Sequence, residues 1–166
     1  MKSSSFLLVI LLSLFAAKAE ATDVKLVDSG DGIRLNVDGQ DYFVKGMNWA
    51  YFPIGTNFNF DIWSQPDHFI EDVLKTEMSL LREIGINTIR CYSLVPKKWV
   101  EHIYQQYGIY TILNHSFGSY GLTIDGEWMP HTDYSDLRTR KLLISEVESM
   151  VEDYRDTEDY ESCVMK

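Results

Sequence analysis

Four side chains with chemistry to offer stand at the ends of two apolar runs. Arg90 and Tyr92 close the run Ile86–Tyr92, and Asn114 and His115 close the run Ile109–Asn114. Between them lies a helix candidate that starts at Pro96, reaches Tyr107 and stops at Gly108. Two runs rich in Ile, Thr and Tyr with a helix between them predict parallel strands joined by a crossover. Neither run alternates cleanly, so both strands should be covered on both faces. In such sheets ligands meet the carboxyl ends of the strands. A guanidinium, a phenol, an amide and an imidazole there offer hydrogen-bond donors and acceptors to a ligand.

Carboxylates are less well placed. Asp125 and Glu127 are the only close pair on a loop that follows a strand. With just Gly126 between them they share one turn tip and cannot bracket a substrate, so a solvated turn is expected. Glu71, Asp72 and Glu77 fall on the outer side of a helix and carry no catalytic role. Cys91 reads as a small buried hydrophobe, and no His/Cys spacing suggests a metal. No GxGxxG or GxxxxGK[ST] motif follows any strand, which removes the support for a small nucleotide-binding domain.

The elements that must position these residues follow in order. Val24–Val27 and Ile33–Val37 predict a two-stranded flap, and Asp38-Gly39 a hairpin turn into a strand Tyr42–Asn48. The connection Trp49–Pro66 is long and carries six aromatic residues, including Tyr51. A first helix is expected from Asp67, as its N-cap, to Ile84, with Gly85 as the stop. Ile70, Val73 or Leu74, Leu81 and Ile84 would face the sheet. In the second helix Trp99, Ile103 and Tyr107 make a packing stripe. Ser116–Asp133 reads as another long loop, carrying Phe117, Tyr120 and Trp128. A third helix, capped by Ser135 or Asp136, runs to Tyr154 with Leu137, Leu143 or Ile144, Val147, Met150 and Val151 inward. The remainder, 156–166, is acidic, and no fourth strand is expected there.

Composition narrows the class. Met1–Ala21 has Lys2, an apolar core over Phe6–Ala17 and small residues at Ala17, Ala19 and Ala21, the pattern of a secretory signal peptide. Its core is shorter than the roughly 18 residues needed to cross a bilayer. The formal charge is −10, and removing the leader makes the chain one unit more acidic. An acidic exported protein without a basic cluster excludes nucleic acid and, once the leader is gone, membranes as partners. The expected location is secreted, extracellular or periplasmic. Aromatic residues make up 13% of the chain and concentrate in the two long connections. There they can stack on flat apolar ligand faces such as those of sugars, or equally serve as the hydrophobic filling of the long loops.

Three segments, DYFVKGMNWAYFP, LLREIGINTIRCYSLVP and YGIYTILNHSFG, together resemble the opening of glycoside hydrolases built on a (β/α)8 barrel. The nearest-looking families are the family 2 catalytic barrel and the family 72 β-1,3-glucanosyltransferases. The resemblance runs from Gly39 to Tyr154. It implies an α/β fold, the amino-terminal part of a TIM barrel with about three βα units after a short β-hairpin. The organisation would be 1–21 signal peptide, 22–41 hairpin, 42–155 partial barrel and 156–166 acidic tail.

The resemblance also implies hydrolysis or transfer of O-glycosidic bonds in a β-glucan-like polysaccharide, with retention, by two carboxylates about 5 to 5.5 Å apart. In those families one is a Glu after Asn on the fourth strand and the other a Glu on the seventh. No Asn-Glu dipeptide occurs in this sequence, so no catalytic residue is assigned. Barrels of this kind need about 250 residues, and the expectation is an inactive amino-terminal fragment, with a frameshift or incomplete gene model as the cause. Arg90 matches the Arg beneath the nucleophile, and Tyr92, Asn48, Tyr51, His115 and Trp128 are candidates to line or support a sugar site. The partner is an oligosaccharide or polysaccharide, and no cofactor or metal is implied. The alternative is a non-catalytic carbohydrate-binding or assembly protein.

Overall fold

The computed structural model describes residues 24–155 together with Val164 and Met165. The signal-peptide assignment, Cys163 and most of the acidic tail lie outside the described residues. The fold is mixed α/β, with a parallel sheet and three helices.

The chain opens on an antiparallel sheet of β1 (Val24–Asp28), β2 (Ile33–Val37) and β3 (Gln40–Asp41). The Asp38-Gly39 turn forms as expected, both residues having positive φ, which matches the twist of a two-residue hairpin. The flap therefore has three strands rather than two. The parallel strand that follows, β4 (Gly46–Trp49), starts four residues later than predicted. Asn87 explains the difference. Its Oδ1 accepts from the backbone N–H of Lys45 at 2.8 Å and its Nδ2 donates to the carbonyl of Phe43 at 2.9 Å. A side-chain amide thus takes the place of a ladder, and residues 42–45 are extended without being a strand.

β4 pairs with β5 (Thr88–Cys91), β5 with β6 (Tyr110–Ile112), and β6 with β9 (Val164–Met165), every pair parallel. The expectation that no further strand follows is thereby corrected: two residues of the tail extend the sheet. The described residues form an open sheet and no closed barrel.

Two helices return the chain between the first three of these strands. α1 (Asp67–Glu83) buries Ile70, Val73, Leu74, Met78 and Leu81, and α2 (Lys97–Tyr107) buries Trp99, Val100 and Ile103. These side chains form one core with Ile89 and Cys91, so both helices cover the same face of the sheet. Asp67 does not cap α1. Pro66 holds the N-cap position without a side-chain bond, and Asp67 instead pairs with Lys98 at 2.7 Å, clamping α1 to α2. Ile84, expected inward, is 67% exposed, because it follows the last turn and Met78 fills the space. On the opposite face Val37 and Tyr110 are buried together, with Leu35, Tyr42 and Ile112 against them, so the flap packs on the inner side of the parallel strands.

The predicted loop 116–133 contains a hairpin, β7 (Leu122–Ile124) and β8 (Glu127–Met129), turning at Asp125-Gly126, both at positive φ. α3 (Leu137–Arg155) is capped by Asp136, whose Oδ1 accepts from the N–H of Arg138 at 2.8 Å. Its inward residues include Thr139, Leu143 and Tyr154, and Tyr154 donates its hydroxyl to the carbonyl of Val95. Leu137 and Ile144 face outward, against expectation for Leu137.

Candidate functional site

Alternation along the strands decides which side chains meet at the carboxyl edge. Trp49 and Cys91 turn into the helix-covered core, so their neighbours Asn48 and Arg90 stand on the other, inner face. Asn48 lies opposite Arg90 in the parallel register and Arg90 lies opposite Ile112. Asn114, two residues beyond Ile112, returns to the same face. Arg90 Nη2 donates to Asn114 Oδ1 at 2.6 Å, and Nη1 reaches Asn48 Oδ1 at 3.5 Å, the outer limit of a hydrogen bond. The guanidinium carbon sits 5.0 Å from the centre of the Tyr92 ring, a cation–π arrangement.

Arg90 is thus held by two neutral amides and an aromatic face. No ion pair joins it to a carboxylate among the described residues. A planar, permanently charged group fixed this way keeps its attraction for an incoming carboxylate, anion or hydroxyl oxygen. Three expected site residues, Asn48, Arg90 and Tyr92, are brought together, and Asn114 joins them.

Tyr51 belongs to a different environment. Its ring packs edge-on to Phe60 and Phe69, at 6.4 and 6.3 Å between centres. With Trp49, Phe58, Trp63 and Tyr92 it walls a pocket of about 490 Å³ under the long connection, at the ends of β4 and β5. Trp49, expected in the loop, closes β4 and is buried with its ring 6.0 Å from Trp63. Besides the tyrosines, the pocket's lining includes the polar side chains of Asn59, Asp61 and Ser93. Asp61 Oδ1 accepts from the N–H of Trp63 and so starts the short 3-10 helix Ile62–Ser64. Tyr92, 61% exposed, touches both Arg90 and the pocket and joins the two. The sequence offered no way to find Asn59, Asp61 and Ser93 as neighbours, since long connections carry no period. The six aromatic residues of the connection were the available signal.

His115 points away from the row toward α3. Its Nδ1 accepts from the backbone N–H of Phe117 at 3.0 Å, which places a proton on Nε2, 3.3 Å from Glu146 Oε2. The imidazole joins the loop after β6 to α3, and its ring lies edge-on to Phe117. Trp128 stands on β8, 61% exposed and remote from the core. Asp125 occupies the hairpin turn and pairs with Arg138 at 3.3 Å, as befits a solvated turn.

Cys91 is buried and free, and burial alone pushes its thiol up to about 12 from an ordinary value near 9.0. Burial likewise raises the phenol of Tyr110, with its hydrogen bond to the Tyr104 hydroxyl adding to the effect. Neither group is an acid or base at neutral pH. No cluster of three metal-ligating side chains occurs among the described residues. No helix among them is long and apolar enough to cross a membrane.

No protein-family model matches this chain, and no curated protein matches it. Among solved structures, the exo-chitosanase CsxA of Amycolatopsis orientalis, in complex with PNP-β-D-glucosamine, is similar at 21% identity and a TM-score of 0.49. The match covers 86% of this chain, which spans 15% of the length of that protein.

Proposed function

We propose that this chain is the strand-one-to-three portion of an exported, retaining glycoside-hydrolase-type (β/α)8 protein and binds a β-glucan-like oligosaccharide or polysaccharide. The binding edge is the row Asn48, Arg90, Asn114 with Tyr92 beneath it, continued by the aromatic pocket around Tyr51. One observation carries the reading: a guanidinium held at the carboxyl edge of parallel strands by two amides and a ring, with its charge unmatched by an ion pair among the described residues. The resemblance of the three strand segments supports it. Arg90 would orient and keep ionised a carboxylate supplied by the rest of the protein. Tyr51, Trp128 and His115 are proposed as sugar-lining or supporting positions.

A second reading, a non-catalytic carbohydrate-binding or assembly protein, is favoured by the makeup of the row. Its polar members among the described residues are amides and a guanidinium, and a retaining mechanism needs paired carboxylates. Calorimetry of the full chain against β-glucan and β-galactoside oligosaccharides tests the shared claim. Binding should be present in the chain made in bacteria and lost in Arg90→Met. Absence of binding to every oligosaccharide would overturn both readings. Binding accompanied by turnover would remove the second.

A further inference from the structure

Asn114, His115 and Ser116 form an Asn-x-Ser triplet, and no other Asn in the chain has Ser or Thr two residues on. Such a triplet is the acceptor signal for N-linked glycosylation in a secretory pathway. It lies just past Ile112, the last residue of β6, in chain that is neither helix nor strand. Ser116 is exposed and Asn114 half-buried. The Asn114 amide meets Arg90 through Oδ1, its acceptor atom, so Nδ2 takes no part in that bond. A glycan on Nδ2 is therefore compatible with the Arg90 contact.

We infer that Asn114 is an N-glycan acceptor, and that the glycan stands over the Arg90 end of the binding row and excludes external oligosaccharide. The inference rests on the export and carbohydrate-site readings proposed above. In the transfer, Nδ2 attacks C1 of an oligosaccharide carried on a lipid diphosphate. The N–C1 bond forms as the bond from C1 to the diphosphate oxygen breaks. The lipid diphosphate leaves with that electron pair, and the amide gives one proton to a base of the transferase. Attached there, the glycan shares the carboxyl edge with Asn48, Arg90 and Tyr92. The site would open only on chains that escape modification or lose the glycan.

The test uses the full chain with its own leader, made in a eukaryotic secretory host, with secreted and cell-retained protein both examined by peptide mass spectrometry. The expected result is one N-glycan on the peptide containing Asn114, removed by peptide N-glycosidase with conversion of that Asn to aspartate. Ser116→Ala should abolish the glycan while keeping the Arg90–Asn114 bond, and Asn114→Gln should also abolish it. Oligosaccharide binding should be lost in the glycan-bearing chain and present in Ser116→Ala and in unmodified chain made in bacteria. An unmodified Asn114 in both fractions overturns the acceptor assignment. A glycan that leaves binding intact overturns the exclusion. If the glycan is present and even the unmodified chain binds nothing, the acceptor assignment stands and the carbohydrate-site reading falls, taking the exclusion with it.

Discussion

The hydroxyl of Tyr42 lies 3.0 Å from the carbonyl oxygen of Asn87, to which it donates, and 3.0 Å from the hydroxyl of Thr88. One phenol thus fastens the end of the amino-terminal flap to the first residue of β5, beneath the row that holds Arg90. Tyr42→Phe keeps the ring contact with Tyr110, at 5.3 Å, and removes only the hydroxyl. The expected loss is about 1 kcal/mol, the net worth of a hydrogen bond of this kind. Urea denaturation of the single variants and of the pair with Thr88→Val would measure it. A change near zero would show that the flap is held by apolar contact alone.

Asn87→Ala should cost more. It removes the acceptor for the N–H of Lys45 and the donor for the carbonyl of Phe43 in one step. It also removes the acceptor of the Thr88 hydroxyl, which donates to Asn87 Oδ1 at 2.9 Å, and a loss of about 3 kcal/mol is expected from three such bonds. Hydrogen exchange at the Lys45 amide should rise with it. Protection that survives the substitution would refute the ladder-replacing role.

Gly121→Ala tests the hairpin that carries Trp128. Gly121 has φ +98°, and a methyl group there would meet the Met129 carbonyl oxygen at 2.6 Å and Trp128 Cζ2 at 2.7 Å. Both the backbone angle and the collision oppose alanine, so the variant should lose more than about 1 kcal/mol. Tryptophan fluorescence should shift as the indole is displaced. An unchanged spectrum and stability would show that the loop accommodates the methyl.

Cys91 makes a prediction about pH. Its folded thiol titrates near 12 against 9.0 for the ordinary group, so the neutral thiol prevails in both states below pH 9 and the stabilising difference is fully present there. Between about 9 and about 12 the unfolded chain ionises while the native chain does not, and stability falls as the pH rises. A Cys163→Ser variant should therefore show no thiol reactive with an aromatic disulfide reagent at pH 8 until denaturant is added. Prompt reaction in the native state would contradict the burial. Comparison with Cys91→Ala should isolate the alkaline loss of stability.

How much of this could be read beforehand depends on where the information sits. The helices were legible because their apolar spacing and the Pro66, Pro96 and Gly108 boundaries are local, and their ends moved by a residue or two. The row was legible as strand ends, Arg90 and Asn114 from the apolar runs and Asn48 from the resemblance, whereas the shared face of Asn48 and Arg90 is set by the register between the strands. The start of β4 was not, since it depends on the side chain of Asn87, some forty residues away in sequence. The β7–β8 hairpin went unread because its strands have three residues each, too short for a period, although Asp125-Gly126 marked the turn. The partner of His115 was hidden for the same reason as that of Tyr42: each lies on an element remote in sequence.

One consequence follows from the place of β4 at the margin of the parallel sheet. Among the described residues it has a hydrogen-bonding neighbour on one side only, and Phe43 and Val44, just before it, are exposed. Its outer amides and carbonyls already stand at the spacing a further chain would need, so the margin is a mould waiting for any extended segment. At high concentration the first segment to arrive will often be another molecule's, and during refolding the rate of loss to aggregates should rise with the square of the chain concentration while productive folding rises only in proportion to it.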